Sequence, residues 1–212
     1  MTASKLLSST SIPPAERLIF ALDVPNPIAA RELVETLGET VRFYKIGLEL
    51  FMAGGYFELL EWLRGRDKKV FVDLKFFDVP ETVRSAVRQL CPRGATFATV
   101  HGNDAILRAA VEAAREADSA LGILAVTVLT SLDQGDLDDL GFACDPKTLV
   151  LSRARRALDI GCRGVISSGL EAADLRRQLG EKLLIVTPGI RPVLNRPTDD
   201  QKRTMDVEEA FF

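Results

Sequence analysis

The amino-acid sequence predicts an α/β fold of the (β/α)8 barrel type, on three observations. Apolar runs of strand length alternate with helical patterns at intervals of roughly 20 to 40 residues, which is the signature of successive βα units around a parallel sheet. The phosphate fingerprints of open α/β sheets are missing: no Gly-x-Gly-x-x-Gly follows the first strand and no Gly-x-x-x-x-Gly-Lys occurs. Finally, Asp23, Lys45, Asp73 with Lys75, His101, Thr130, Ser168 and Arg191 all fall at or just beyond the carboxyl ends of successive strands. Barrels of this kind, TIM barrels, keep their sites at that end. Seven strands are counted, so the expectation is one barrel domain over residues 1–212 that lacks an eighth βα unit in the sequence given.

After a polar lead containing Pro13-Pro14, Leu18 to Asp23 reads as the first buried strand. Pro27 opens a helical pattern from Ile28 to Leu37 and Gly38 closes it, the usual start and stop signals. Val41 to Gly47 is the second strand, followed by a helix with apolar spacing through Phe51, Tyr56, Leu59, Leu60 and Leu63, weakened early by Gly54-Gly55. The third strand runs from Val70 toward Pro80 and leads into a helix from about Pro80 to Leu90. Ala95 to His101 is the fourth strand and Asp104 to Ala117 its helix. Leu121 to Leu129 is a nearly continuous apolar strand, as expected when both sheet faces are covered. Ser131 to Asp145 reads as a long acidic loop, and Pro146 begins a helix to about Ile160. Gly164 to Ser167 is the sixth strand, Glu171 to Leu179 a helix, Leu183 to Thr187 the seventh strand, and Pro188 to Thr204 a polar stretch with three prolines.

Composition narrows the function classes. The chain is 47% hydrophobic and 27% charged with a net charge of −3, which describes a globular domain with a sizeable core. Lys and Arg are scattered rather than clustered, against a nucleic-acid surface. No apolar run approaches the roughly 20 residues of a membrane span, and the start lacks the apolar core of a secretory signal, so a cytoplasmic protein is expected. Cys91, Cys144 and Cys162 are far apart and read as reduced structural thiols. With His101 the only histidine, a multi-histidine metal site is excluded and chemistry must rest on carboxylates, lysines and backbone.

The third strand carries the strongest signal. Its apolar run is interrupted by Asp73, Lys75 and Asp78, charges that strand burial does not call for. In an extended chain Asp73 and Lys75 face the same way, roughly 7 Å apart. Asp78 precedes Pro80, which fits the first turn of the next helix. An ion pair that merely ties off the strand is the plain alternative. In a barrel, Asp23, Lys45 and the Asp73/Lys75 pair come from neighbouring strands about 4.8 Å apart. If Asp78 joins them, Lys and Asp alternate in an array that keeps both lysines charged and directs a fixed field at a bound molecule.

At these residues, and along nearly the whole chain, the sequence resembles the orotidine 5′-phosphate decarboxylase family. The matching stretches are Ala21-Leu22-Asp23, Lys45-Ile46-Gly47, Asp73-Leu74-Lys75-Phe76-Phe77-Asp78-Val79-Pro80-Glu81-Thr82, Val100-His101, Ala125 to Ser131, Ser167-Ser168, Val186-Thr187-Pro188-Gly189-Ile190-Arg191-Pro192 and Asp200-Gln201. The resemblance implies decarboxylation of orotidine 5′-phosphate to UMP without cofactor or metal, in a homodimer. It further implies Lys75 as the general acid at ring carbon 6, Asp73 against the departing carboxylate, and Lys45 linking that Asp to the ribose. Asp78 and Thr82 reach the partner subunit's site, with Asp23 and Thr82 on ribose hydroxyls. Ser168 contacts the pyrimidine, Thr130 and Pro188 line the pocket, Arg191 grips the phosphate, and Gln201 closes over it from a lid-like loop.

The sequence departs from the family in three places. The family usually has His where Phe77 stands and Asn where Glu81 stands, and small effects are expected from both. It also continues, after a segment like Glu208-Glu209-Ala210, into an eighth strand ending in Gly-Arg that completes the phosphate site. The sequence given stops at Phe212, so two unpaired strand edges and half a phosphate site are expected.

Several residues read more simply as structure. His101 fits a strand-end residue hydrogen-bonded to its neighbours; Gly47, Gly189 and Phe76-Phe77 fit turns and packing. Arg153 to Arg156 and Arg176-Arg177 fit solvated helix faces, and the Asp133 to Asp139 cluster lacks the glycine and closing glutamate of a calcium loop. Two other functions stand beside the leading one. The first is a magnesium-dependent 3-keto-gulonate 6-phosphate decarboxylase, whose family shares the Asp-x-Lys-x-x-Asp motif. The second is a non-catalytic truncated barrel serving only as a binding protein.

Overall fold

The computed structural model of the protein describes residues 11–190 and the backbone of 191 and 205–206. The chain divides into two compact units, Ser11–Ile123 and the part from Leu124 on.

In the first unit, β1 (Phe20–Ala21), β2 (Phe43–Gly47), β3 (Lys69–Phe76) and β4 (Phe97–Val100) lie side by side in sequence order, all parallel. Ala21 stands opposite Lys45, and Gly47 opposite Asp73, which puts the charged ends of β1 to β3 at one level. Between the strands run α1 (Pro27–Leu37), α2 (Leu48–Met52), α3 (Tyr56–Arg64), α4 (Pro80–Leu90) and α5 (Asp104–Glu116). The core joins Tyr44, Ile46, Val70, Val72 and Ala98 of the strands to Leu59, Leu60 and Leu63 of α3 and Val83 and Val87 of α4, all essentially inaccessible. Each such Leu or Val contributes about 1.5–3 kcal/mol when fully buried.

Helix ends follow local chemistry. Asn26 and Asn103 accept hydrogen bonds from the first free N–H groups of α1 and α5. Pro27 and Pro80 occupy first turns, where a missing N–H costs nothing. The one helix expected around Gly54-Gly55 is two: both glycines adopt positive φ, 80° and 69°, which ends α2 and re-aims the chain into α3. Arg84 of α4 clamps α5 through Glu112 and Glu116.

The strand β5 (Gly122–Val126) leads into the second unit, where β5, β6 (Gly164–Ile166) and β7 (Leu184–Val186) are again parallel and in sequence order. Gly164 lets β6 and β7 approach: a Cβ there would stand 2.5 Å from the Leu184 carbonyl oxygen. The helices are α6 (Gln134–Asp139), α7 (Pro146–Ile160) and α8 (Gly169–Leu179). The acidic loop expected over 131–145 thus contains a helix, closed by a reciprocal cap in which the Asp133 and Asp136 side chains accept from each other's backbone N–H. Within the polar stretch after Pro188, β8 (Ile190–Arg191) pairs parallel with β9 (Met205–Asp206), Ile190 opposite Met205. Gln201 lies outside the described residues. Among the described residues, no helix is long and apolar enough to cross a membrane.

Candidate active site

The first unit gathers Asp23, Lys45, Asp73 and Lys75 at the carboxyl ends of β1 to β3. Lys45 Nζ stands 3.0 Å from Asp23 Oδ1 and 3.7 Å from Asp73 Oδ2. Lys75 Nζ reaches both Asp73 oxygens, at 3.0 and 3.1 Å. The result is a continuous Asp23–Lys45–Asp73–Lys75 line. Exposure is graded along it: the Asp23 side chain is 66% accessible, Lys45 23%, Asp73 13% and Lys75 36%. The inner carboxylate is therefore the most sheltered member, held between two ammonium groups in a place where water screens them least.

Asp73 and Lys75 meet by a route that strand alternation does not predict. Val72 pairs with Ala98 and Phe76 with Val100, so Asp73, Leu74 and Lys75 stand opposite the single residue Thr99. Lys75 sits in this bulge with φ +47°. Asp67 and Asp118 also have positive φ, but they lie in turns after helices, where an Asp is tolerated. A lysine in the left-handed region inside a strand stores on the order of 1–3 kcal/mol of strain, which the surroundings must hold. Bulges of this kind re-aim side chains beside active sites.

Two hydroxyls that the sequence reading passed over support the line. Thr99 Oγ1 donates to Asp73 Oδ1 at 2.9 Å and accepts the Lys75 N–H at 2.9 Å. Its signal in the sequence is slight, a single hydroxyl inside the apolar run Phe97-Ala98-Thr99-Val100. Tyr56 of α3 donates to the Ile46 carbonyl at 3.0 Å, fixing the end of β2 from beneath. Burial, and secondarily the Asp73 charge, push its phenol up, so it stays a neutral donor.

Asp78 stands apart from the line. Its carboxylate accepts the Val79 N–H at 2.6 Å, is exposed, and makes no ion pair among the described residues. Thr82, in the first turn of α4, is exposed as well. Phe77, also exposed, packs edge-on to the His101 ring with centroids 5.3 Å apart. The His101 N–H continues the β3–β4 ladder by donating to the Phe76 carbonyl.

In the second unit the strand ends carry neutral hydroxyls. Ser168, fully buried, caps α8 by accepting the Leu170 N–H at 3.2 Å. Thr130 is buried past the end of β5, and Thr127 ties β5 to β6 by donating to the Ile166 carbonyl at 2.8 Å. Arg153 of α7 donates to the Thr127 carbonyl and lies over the Phe142 ring. Pro188 follows β7, half-buried, and Arg191 is the second residue of β8. Among the described residues, no group of three His, Cys, Asp or Glu side chains gathers as a metal site.

Successive parallel βα units with a preorganised charge line at the strands' carboxyl ends define an enzyme of the barrel class. The Orotidine 5'-phosphate decarboxylase / HUMPS family matches residues 16–211, and the chain belongs to that family. It is 64% identical over 205 residues to the orotidine 5'-phosphate decarboxylase of Methylococcus capsulatus, covering 97% of this chain and 83% of that one. It is 48% identical to the enzyme of the same name from Stenotrophomonas maltophilia, over 92% of this chain and 80% of that one. Among solved structures, it is similar to orotidine 5'-phosphate decarboxylase from Lactobacillus acidophilus, with TM-score 0.77, 35% identity, and 82% and 81% of the two chains covered. The fold class is that of the (β/α)8 barrel.

Proposed function

We propose that this chain decarboxylates orotidine 5′-phosphate to UMP in pyrimidine synthesis. The observation that carries the reading is the Asp23–Lys45–Asp73–Lys75 line, in a chain 64% identical to an enzyme of that name. Loss of CO₂ breaks the bond between ring carbon 6 and the carboxylate and leaves its electron pair on that carbon. The Lys75 ammonium delivers a proton there and is reprotonated from solvent. A vinylic carbanion has a very high barrier in water, and a fixed ammonium in a preorganised field is the available remedy without a cofactor. Asp73 faces the departing carboxylate, and Lys45 couples it to the ribose.

The remaining roles belong to the same proposal. Asp23 and Thr82 bind ribose hydroxyls, Ser168 the pyrimidine, Thr130 and Pro188 the pocket wall, and Arg191 with Gln201 the phosphate. Phosphate contacts remote from carbon 6 supply binding energy expressed in the transition state. Asp78 and Thr82 serve the partner's site in a cytoplasmic homodimer of single barrel domains; their exposure, apart from the charge line, supports that reading. The magnesium-dependent keto-sugar reaction and the non-catalytic barrel are not favoured, since relatives 64% and 48% identical over 97% and 92% of this chain carry the nucleotide decarboxylase name.

The test is loss of orotidine 5′-phosphate absorbance with the purified protein, with and without a chelator. Turnover indifferent to chelation is expected. Turnover of a keto-sugar phosphate that requires magnesium, with none of the nucleotide, would overturn the proposal.

A further inference from the structure

Thr99 occupies an unusual place. It is fully buried, it is the single β4 residue opposite three residues of the β3 bulge, and its hydroxyl touches both members of the Asp73/Lys75 pair. The direction of each bond follows from chemistry. A backbone N–H only donates, so toward Lys75 the hydroxyl uses a lone pair; its one proton is then directed to the Asp73 carboxylate, which only accepts.

We infer that Thr99 is a positioning residue for the proposed acid, acting through both Asp73 and the Lys75 backbone. In an unbulged ladder the Lys75 N–H would meet a β4 carbonyl; here a side-chain oxygen replaces it and holds Lys75 at φ +47°. The same oxygen fixes the rotation of Asp73, so that both its oxygens stay within 3.1 Å of Lys75 Nζ. Water cannot take over either bond at a site with no accessible surface. Thr99 touches no reacting atom in this scheme; it sets where the ammonium points. An error of about 1 Å at a reacting group lowers rate by roughly a hundredfold while leaving remote binding contacts alone.

The inference rests on the activity proposed above, and the experiment separates the two. Thr99→Val keeps shape and removes both bonds; Thr99→Ser keeps the hydroxyl. With an active parent, Thr99→Val is expected to lower kcat by about 30- to 100-fold with KM within about threefold, and Thr99→Ser to recover most of the loss. A crystal structure of Thr99→Val is expected to show the Asp73 carboxylate rotated and Lys75 Nζ bonded to at most one of its oxygens. Unchanged kcat, a loss falling on KM alone, or a Ser variant as impaired as Val would overturn the inference. Should Thr99→Val not fold, Thr99→Ala, which also lacks the hydroxyl, replaces it with the same expectations. A parent without turnover counts against the activity, and the crystallographic arm then decides alone: an Asp73/Lys75 geometry unchanged from the parent overturns the role of Thr99.

Discussion

The two units use their strand ends in opposite ways. In the first, β1 to β3 end in charges that neutralise one another in a line, braced by Thr99 and Tyr56. In the second, β5 and β6 are followed by hydroxyls, Thr130 and Ser168, buried and free of formal charge. A field that acts on developing charge has to be fixed in advance, which calls for paired ions and a strained backbone. Recognition of a neutral group needs only a hydrogen-bonding atom on a rigid support, and a helix cap supplies one. The first unit therefore carries the groups proposed for chemistry, and the second carries groups proposed for recognition.

The sharpest way to break this division is Lys75→Ala. Turnover is expected to fall by at least about 10³-fold with the fold intact by circular dichroism, since proton delivery and electrostatic stabilisation are lost together. Activity within about tenfold of the parent would remove Lys75 from its assigned role. Asp73→Asn should rank next, at about 10²-fold in kcat, because it leaves two ammonium groups without the carboxylate between them. Ser168→Ala sharpens the contrast from the other side. Its main effect should fall on KM, about tenfold, with about 1 kcal/mol of stability lost as α8 loses its cap, measured by denaturant titration. A large kcat effect with unchanged KM would place chemistry in the second unit as well.

The sequence made the order of βα units and the convergence of Asp23, Lys45, Asp73 and Lys75 legible, because strand burial and strand-end charge are written in period and position. Alternation also anticipated that Asp73 and Lys75 face each other, but by the wrong means. The contact depends on a bulge and a left-handed lysine set by Thr99, 24 residues beyond Lys75 along the chain, and no local pattern encodes such a pairing. The break between α2 and α3 was half legible: Gly54-Gly55 was visible, yet whether two glycines weaken a helix or end it depends on the φ they adopt. The α6 helix was hidden by composition. Its acidic residues suggested a solvated loop, although Asp133 and Asp136 carry the spacing of a capping box. Asp78 shows the converse limit, since a motif places it beside the charge line in sequence while its carboxylate turns back to its own neighbour's N–H.

The smallest effect separates the units by their helix caps. In the first unit α1 and α5 are capped by Asn26 and Asn103, which do not titrate. In the second, α7 is capped by Asp145, which accepts from the Thr148 hydroxyl and the Thr148 N–H. Those two bonds, the hydroxyl's first, hold the Asp145 carboxyl below its ordinary value. A depressed folded-state pKa means the carboxylate stabilises the fold fully above about pH 4 and loses that contribution as pH falls through the lower, folded value. Asp145→Asn keeps a good cap without a titrating group. At pH 7 the parent should melt slightly higher than Asp145→Asn, and the gap should close as pH falls below about 4 in a series of thermal melts. Asn103→Asp provides the reciprocal test, because it should introduce the same acid-linked loss at α5. A gap for Asp145→Asn that stays constant with pH would mean that the cap works by shape alone, and the two units would then not differ in this respect.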